Sequence, residues 1–177
     1  MNAAPSFTWN KDWKPDPEIH QTKKGNQWYF GMKVHTGMDK DSGLIHSVVV
    51  TAAIVQAVTS AADLFHGHEE VAYGDAAYQG IAKMSEMAGR KAEFRVAMRP
   101  GQQRALPDTP EGKLQDLIET LKAHLRVMVE YPIRVIKQQF DLQKARLRGF
   151  AQSHCKIHVL VALTNLFFAR RWLLLSA

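Results

Sequence analysis

Two runs of aromatic and β-branched residues, 28–35 (WYFGMKVH) and 44–51 (LIHSVVVT), stand on either side of Asp39-Lys40-Asp41-Ser42-Gly43. β-Branched and aromatic side chains suit a pleated surface, and Asp, Ser and Gly suit a turn, so the segment predicts an antiparallel hairpin. This pattern constrains the chain most, because a lone hairpin is not stable in water and needs further elements against its apolar face. Residues 55–66 supply the first, with Val55, Val58, Ala62 and Phe65 on one side of a short helix. Residues 69–74 (EEVAYG) read as a short buried strand ending at Asp75. Residues 80–88 predict another short helix and 94–98 another strand, and residues 99–112, with three prolines and two glycines, predict a loop. From 113 to 129 the residues Leu114, Leu117, Ile118, Leu121, Leu125 and Met128 recur at helical spacing. A further helical stretch spans 132–140, with a kink or break expected near Pro132, which lacks a backbone donor and crowds the carbonyl of Met128. The last helix covers 153–175. The order is strand, strand, helix, strand, helix, strand, helix, helix, which predicts an α/β domain with a mixed sheet and helices packed on it. Residues 1–27 are polar and rich in turn formers and read as a loop-like lead-in, leaving 28–177 as the domain.

Several function classes drop out early. Cys155 is the only cysteine, so no internal disulfide is expected and a reducing, cytoplasmic setting is the natural one. The N-terminal stretch MNAAPSFTWNKDWKPDPE has no apolar core of the kind a secretory signal needs. The most apolar stretch, 157–168, falls short of the ~20 residues that span a bilayer, so it reads as a buried core helix and no membrane partner is expected. Neither a nucleophile-elbow serine motif nor a phosphate-binding glycine loop occurs.

The net charge of +6 is unevenly spread. Residues 122–177 hold ten Lys or Arg against Glu130 and Asp141, a net +8, while the first 121 residues carry 13 basic and 15 acidic side chains. A basic third on a near-neutral body points to a polyanion such as nucleic acid, with a solvated helix surface as the alternative.

Two acids are placed for chemistry. Asp75 ends a strand and is followed by small residues, a position suited to holding a hard cation, although it would equally cap the helix after it. Glu130 shares one stripe of a continuous helix with Arg126 and Lys137, at 40° and 20° on a helical wheel of 100° per residue; a salt-bridged surface face has the same pattern. Weaker clusters are His154, Cys155 and His158, with His158 expected to pack within its helix, and His66-Gly67-His68-Glu69-Glu70, expected to be solvated. Trp28, Tyr29 and Phe30 suit core packing more than base stacking.

Four motifs in consistent order carry a resemblance. Lys24-Gly25-Asn26-Gln27-Trp28-Tyr29-Phe30-Gly31-Met32-Lys33-Val34-His35 resembles the hairpin opening of insertion-sequence DDE transposases of the type 4/type 5 group. Tyr73-Gly74-Asp75-Ala76-Ala77-Tyr78-Gln79-Gly80 is similar to the segment around their second catalytic aspartate. Arg126, Glu130 and Lys137, within Glu130-Tyr131-Pro132-Ile133-Arg134-Val135-Ile136-Lys137, match the R-x3-E-x6-K spacing around their catalytic glutamate. Arg146-Leu147-Arg148-Gly149 and Leu163-Thr164-Asn165-Leu166 fit their C-terminal region. The resemblance covers roughly residues 10–175. It implies a ribonuclease-H-like domain that cuts and joins DNA at a two-Mg²⁺ site, with Asp75 and Glu130 as catalytic metal ligands. It further implies Arg126, Arg134, Lys137, Lys144 and Arg148 as DNA contacts. The implied partners are the element ends and target DNA, with a homodimer or an association with intact transposase as the assembly.

Three departures matter. Ala123 stands where the family motif has Tyr, and Gln56-Ala57 stand where it has His-Asp. The family's first catalytic aspartate lies on a central strand upstream of the hairpin, and its counterpart would fall before Met1, so an N-terminally truncated and catalytically deficient chain is expected. The acids Asp12, Asp16, Glu18, Asp39 and Asp41 sit in loops or turns rather than on a central strand. The alternatives are a non-catalytic DNA-binding fragment and a pseudogene product that does not fold.

Overall fold

The computed structural model describes residues 18–175 apart from 88, 143–146 and 148, with backbone only at 24, 30, 126, 171 and 172. The expected hairpin is present, and it is longer than its sequence signal. Strand β2 (Gln27–Met38) pairs antiparallel with β3 (Ile45–Ala52), from Met32↔Ala52 to Met38↔Ile45, with a register shift at Gly37/Met38. Asp39 closes the turn between them by accepting from the Ser42 backbone N–H at 2.7 Å. Within the segment expected to be a loop-like lead-in, His20–Lys24 forms a further strand, β1, antiparallel to β2 from His20↔Gly31 to Lys24↔Gln27. Its sequence, HQTKK, has no apolar alternation to announce it. Backbone pairing and a two-residue turn hold it, with Gly25 at the positive φ of 62° that such turns favour.

The second half of the sheet pattern is a separate unit among the described residues. β4 (Val71–Gly74) pairs in parallel with β5 (Glu93–Val96) and with no other strand. The single mixed sheet expected from the element order is therefore replaced by a three-stranded and a two-stranded sheet. β4 was expected to be buried; instead its residues alternate, with Val71 and Tyr73 exposed, because it has a neighbour along one edge only.

The short helices expected at 55–66 and 80–88 are 3₁₀ turns, Ala57–Ser60 and Ala62–Leu64 in the first, Ile81–Lys83 and Ser85–Met87 in the second. The Thr59 hydroxyl donates to the Gln56 carbonyl at 2.7 Å, a local bond that competes with helix propagation. Their apolar residues still build a small core of Ala61, Ile81 and Met87, with Phe65, Tyr78 and Phe94 packed on it. The expected loop at 99–112 contains a short helix, α1 (Pro100–Arg104).

Helix α2 (Pro110–Gln138) begins with Thr109 accepting from the Gly112 N–H and Pro110 in the first turn. It runs through Pro132 without the expected break. Pro132 forfeits one backbone bond, but it is fully buried, and Val135 and Ile136 just beyond it join the larger core. That core pairs Ile45 and Ile136 with Ile157, Leu160 and Val161 of α3 (Phe150–Leu175). Only one face of the apolar stretch 157–168 is buried; Val159, Leu163 and Leu166 are exposed. Asn165 on α3 bonds the Ile45 N–H through Oδ1 at 2.9 Å and the Ile45 carbonyl through Nδ2 at 2.8 Å, so one side chain serves both polar groups of an edge-strand residue. Glu18 accepts from the Phe150 N–H at the start of α3, where the helix dipole favours a carboxylate.

Candidate active site

Asp75 follows directly on β4 in extended conformation, and its Oδ1 accepts from the Ala77 N–H at 2.9 Å. The cap reading is thus realised for the 3₁₀ turn Ala76–Tyr78, and it engages one carboxylate oxygen. The surrounding residues have local reasons. A Cβ on Gly74 would sit 3.2 Å from the Tyr78 Cβ, so glycine lets the tyrosine fold back under the strand end. Burial first, and then the Asp75 charge, raise the Tyr78 pKa, keeping its phenol neutral. Gly80 takes φ 89°, the left-handed conformation that turns the chain back after the carboxylate.

Glu130 reaches the same place from α2. A cleft of about 980 Å³ is lined by both Asp75 and Glu130, with Val34 to Met38 of β2, β4, and Lys122 of α2 also on its wall. The wall therefore includes the two carboxylates that sequence order singled out, together with Asp39, Asp41, Glu69 and Glu70. Glu130 is exposed on the helix and makes interactions of its own. Arg134 and Lys137 are exposed further along α2, outside the cleft wall, and Arg134 Nε donates to Gln138 Oε1 at 2.9 Å. Arg126 stands one turn before Glu130 on the same helix, its side chain outside the described residues, as are Lys144 and Arg148.

Hard divalent cations such as Mg²⁺ take oxygen ligands, above all carboxylates. Asp75 and Glu130 fit such an ion as part of a ligand set. Among the described residues no group of three or more His, Cys, Asp or Glu stands close enough to hold a metal.

Other residues escaped the sequence reading. Glu119, which the sequence pattern does not single out, is only 3% exposed. Its Oε1 accepts from Lys122 Nζ at 2.7 Å and its Oε2 from the Met98 N–H at 2.7 Å. Burial works to raise the Glu119 pKa, and these two donors more than offset it, leaving the carboxyl below its ordinary value. The signal in the sequence was an acid interrupting a leucine-rich helix. On the cleft wall His46 and His66 share a hydrogen bond of 2.9 Å, and Glu69 accepts from the His66 and Gly67 N–H groups; the 66–70 segment is solvent-exposed apart from half-buried Glu69, as expected. Two expectations of packing are corrected. Trp28 and Tyr29 are 44% and 46% exposed: β1 pairs along their edge, and among the described residues no core cluster includes them. His158 is exposed and contacts the His154 ring at 4.1 Å between centroids.

No described helix is long and apolar enough to cross a membrane. No solved structure matches the chain. The sequence model of the family described as "Transposase DDE domain" matches residues 7–166, which include both cleft carboxylates. With that match over most of its length and with Asp75 and Glu130 on one cleft, the chain belongs to the transposase DDE domain family.

Proposed function

We propose that the chain acts in DNA cleavage and strand transfer during transposition of an insertion sequence of the type 4/type 5 group, on a ribonuclease-H-like domain. The observation that carries this is the meeting of Asp75, at the end of β4, and Glu130, on α2, on one cleft. The family match supports DNA as partner and a divalent cation as cofactor. Held by Asp75 and Glu130, Mg²⁺ would neutralise the charge that builds on the phosphodiester oxygens. The chain's own residues do the rest. The cap from Ala77 orients the Asp75 carboxylate, and the run of α2 through Pro132 keeps Glu130, Arg134 and Lys137 on one rigid element. Arg134 and Lys137 are exposed cations for phosphate, with Arg126, Lys144 and Arg148 as further DNA contacts. Asp39, Asp41, Glu69 and Glu70 also line the cleft, but among the described residues no three acids stand close enough together to hold a metal where the family's chemistry uses three, so we infer that this chain alone is deficient in cleavage.

The test is Mn²⁺ or Mg²⁺ titration of the purified chain together with a cleavage and strand-transfer assay on DNA carrying the element's ends. Metal binding that both Asp75→Ala and Glu130→Ala weaken is expected, with no cleavage above background. Metal binding indifferent to both substitutions sinks the carboxylate assignment; strong cleavage abolished by Asp75→Ala sinks the deficiency. The second reading is a non-catalytic DNA-binding fragment that interferes with intact transposase. The net +8 of residues 122–177 favours it, and salt-sensitive DNA binding without any Asp75-dependent metal site would select it.

A further inference from the structure

The face that α2 presents to β5 is unusual in its chemistry. Along the first half of the helix the apolar stripe Leu114, Leu117, Ile118 and Leu121 is exposed, Leu114 at 60%, while Glu119 and Lys122 point inward. A buried carboxylate is costly unless its oxygens are satisfied, and here both are. Glu119 and Lys122 bond each other, and each also bonds a short segment, residues 96–98, that leaves β5. Lys122 Nζ donates to the Val96 carbonyl at 3.2 Å, and Glu119 Oε2 accepts from the Met98 N–H at 2.7 Å. The residue between them is held from the other side. The Ala97 N–H donates to the carbonyl of Gly74 at 2.9 Å, one residue before Asp75, and Gln79, in the turn after Asp75, donates to the Ala97 carbonyl at 3.3 Å. Three consecutive residues thus bond α2 on one side and the Asp75 turn on the other.

Helix geometry carries the constraint onward. Glu130 follows Glu119 by eleven residues, which on an α-helix is a rotation of only ~20° and a rise of ~16 Å along the same face. A contact that sets the rotation and axial position of α2 at Glu119 therefore also sets the direction in which Glu130 projects.

We propose that Glu119 and Lys122 are positioning residues that lock α2 to the 96–98 segment and thereby hold Glu130 and Asp75 at a set spacing across the cleft; this rests on the reading of those two carboxylates as the metal-holding pair. Replacing Glu119 by Gln keeps the shape but leaves one acceptor for two donors and turns an amide NH₂ toward the other, so the lock is loosened at one atom.

The test is a distance measurement on the full chain. In a Cys155→Ser background, spin labels at Ala77 and Val127, both exposed, report the separation of the Asp75 turn from α2 by pulsed electron resonance. Glu119→Gln and Lys122→Met should broaden the distance distribution and lengthen its mean while the chain still melts cooperatively. Asn165→Ala, which loosens α3 on β3, should leave it unchanged. An unchanged distribution in folded Glu119→Gln overturns the proposal, as does equal broadening in Asn165→Ala, which would make the effect general loosening. Should Glu119→Gln not fold, the double variant Glu119→Gln/Lys122→Met, with no unpaired charge, carries the same measurement and the same two outcomes. In parallel, Mn²⁺ affinity should fall ~10–100-fold in Glu119→Gln, the range that supporting partners of metal ligands command. Unchanged Mn²⁺ affinity in a Glu119→Gln chain whose distances have broadened would also overturn the proposal. If Asp75→Ala leaves Mn²⁺ binding intact, the carboxylate reading fails, and the distance arm still decides whether the lock exists.

Discussion

Asp75 performs a structural task and is offered a chemical one with the same side chain. Its Oδ1 caps a 3₁₀ turn, which fixes the carboxylate on the cleft wall without removing it from solvent contact. Histidines show a different balance. Burial, then the nearby Lys33 ammonium, lowers the pKa of His35, whose Nε2 lies 3.0 Å from the Thr51 hydroxyl. Burial, then His66, lowers that of His46, against the pull of Glu69 and Asp39. A depressed histidine binds its proton later in the folded chain than in the unfolded one. Between the ordinary value of 6.5 and the lower folded value the unfolded state holds more protons, so stability is full above pH 6.5 and falls as the pH drops below it. Denaturant titrations across this window should show that decline, and His35→Gln should make it shallower. An identical slope in wild type and variant would remove His35 from the explanation. Glu119 acts lower on the scale: with its folded pKa depressed below 4.5, its contribution is present above that value and disappears as acid protonates it.

At the scale of elements, one tie between layers is made by a polar side chain. Asn165 occupies the position of a neighbouring strand for one residue of β3, using its amide to meet both the N–H and the carbonyl of Ile45. Thr164 beside it is fully buried and bonds the Leu160 carbonyl at 2.7 Å, so the Leu-Thr-Asn-Leu string has a packing explanation independent of chemistry. Asn165→Ala leaves two backbone groups without that partner at a part-buried site and should destabilise the chain by ~2–6 kcal/mol, at ~1–3 kcal/mol per group. Urea unfolding measures it, and a loss under ~0.5 kcal/mol, the level of a surface change, would mean that water takes over both bonds. The helix that continues through Pro132 belongs to this scale too. Local sequence argues for a break, yet the buried ring together with Val135 and Ile136 outweighs one missing hydrogen bond. Tyr131 stacking on Phe168, with ring centroids 5.4 Å apart, adds a second α2–α3 contact at the same level.

At the scale of the whole molecule, the described residues form two cores and two sheets, with the cleft walled by residues from both sheets and from α2. Its charge is concentrated in the last third, and five cations there, Arg126, Arg134, Lys137, Lys144 and Arg148, are the proposed phosphate contacts. If all five engage duplex DNA, the logarithm of the binding constant should fall with the logarithm of salt at a slope of about −4 to −5, and Lys137→Ala should reduce it by about 1. A slope near zero would sink the DNA contacts as a group. Legibility followed range. The hairpin, the strand ending at Asp75, the long helices and the candidate carboxylates were readable, because side-chain periodicity and turn chemistry are properties of neighbouring residues. β1 was not, since HQTKK is recruited by backbone pairing to β2 rather than by its own pattern. Nor was the exposure of Leu114 or the burial of Glu119, because which side of a helix turns inward depends on the partner it meets, here the backbone of residues 96–98. The sequence by itself determined the family and put forward Asp75 and Glu130 as candidate acids. Only the tertiary structure decided that those acids share a cleft and that a buried Glu–Lys pair stands between the elements carrying them, because convergence of residues distant in the chain is settled by packing and not by spacing.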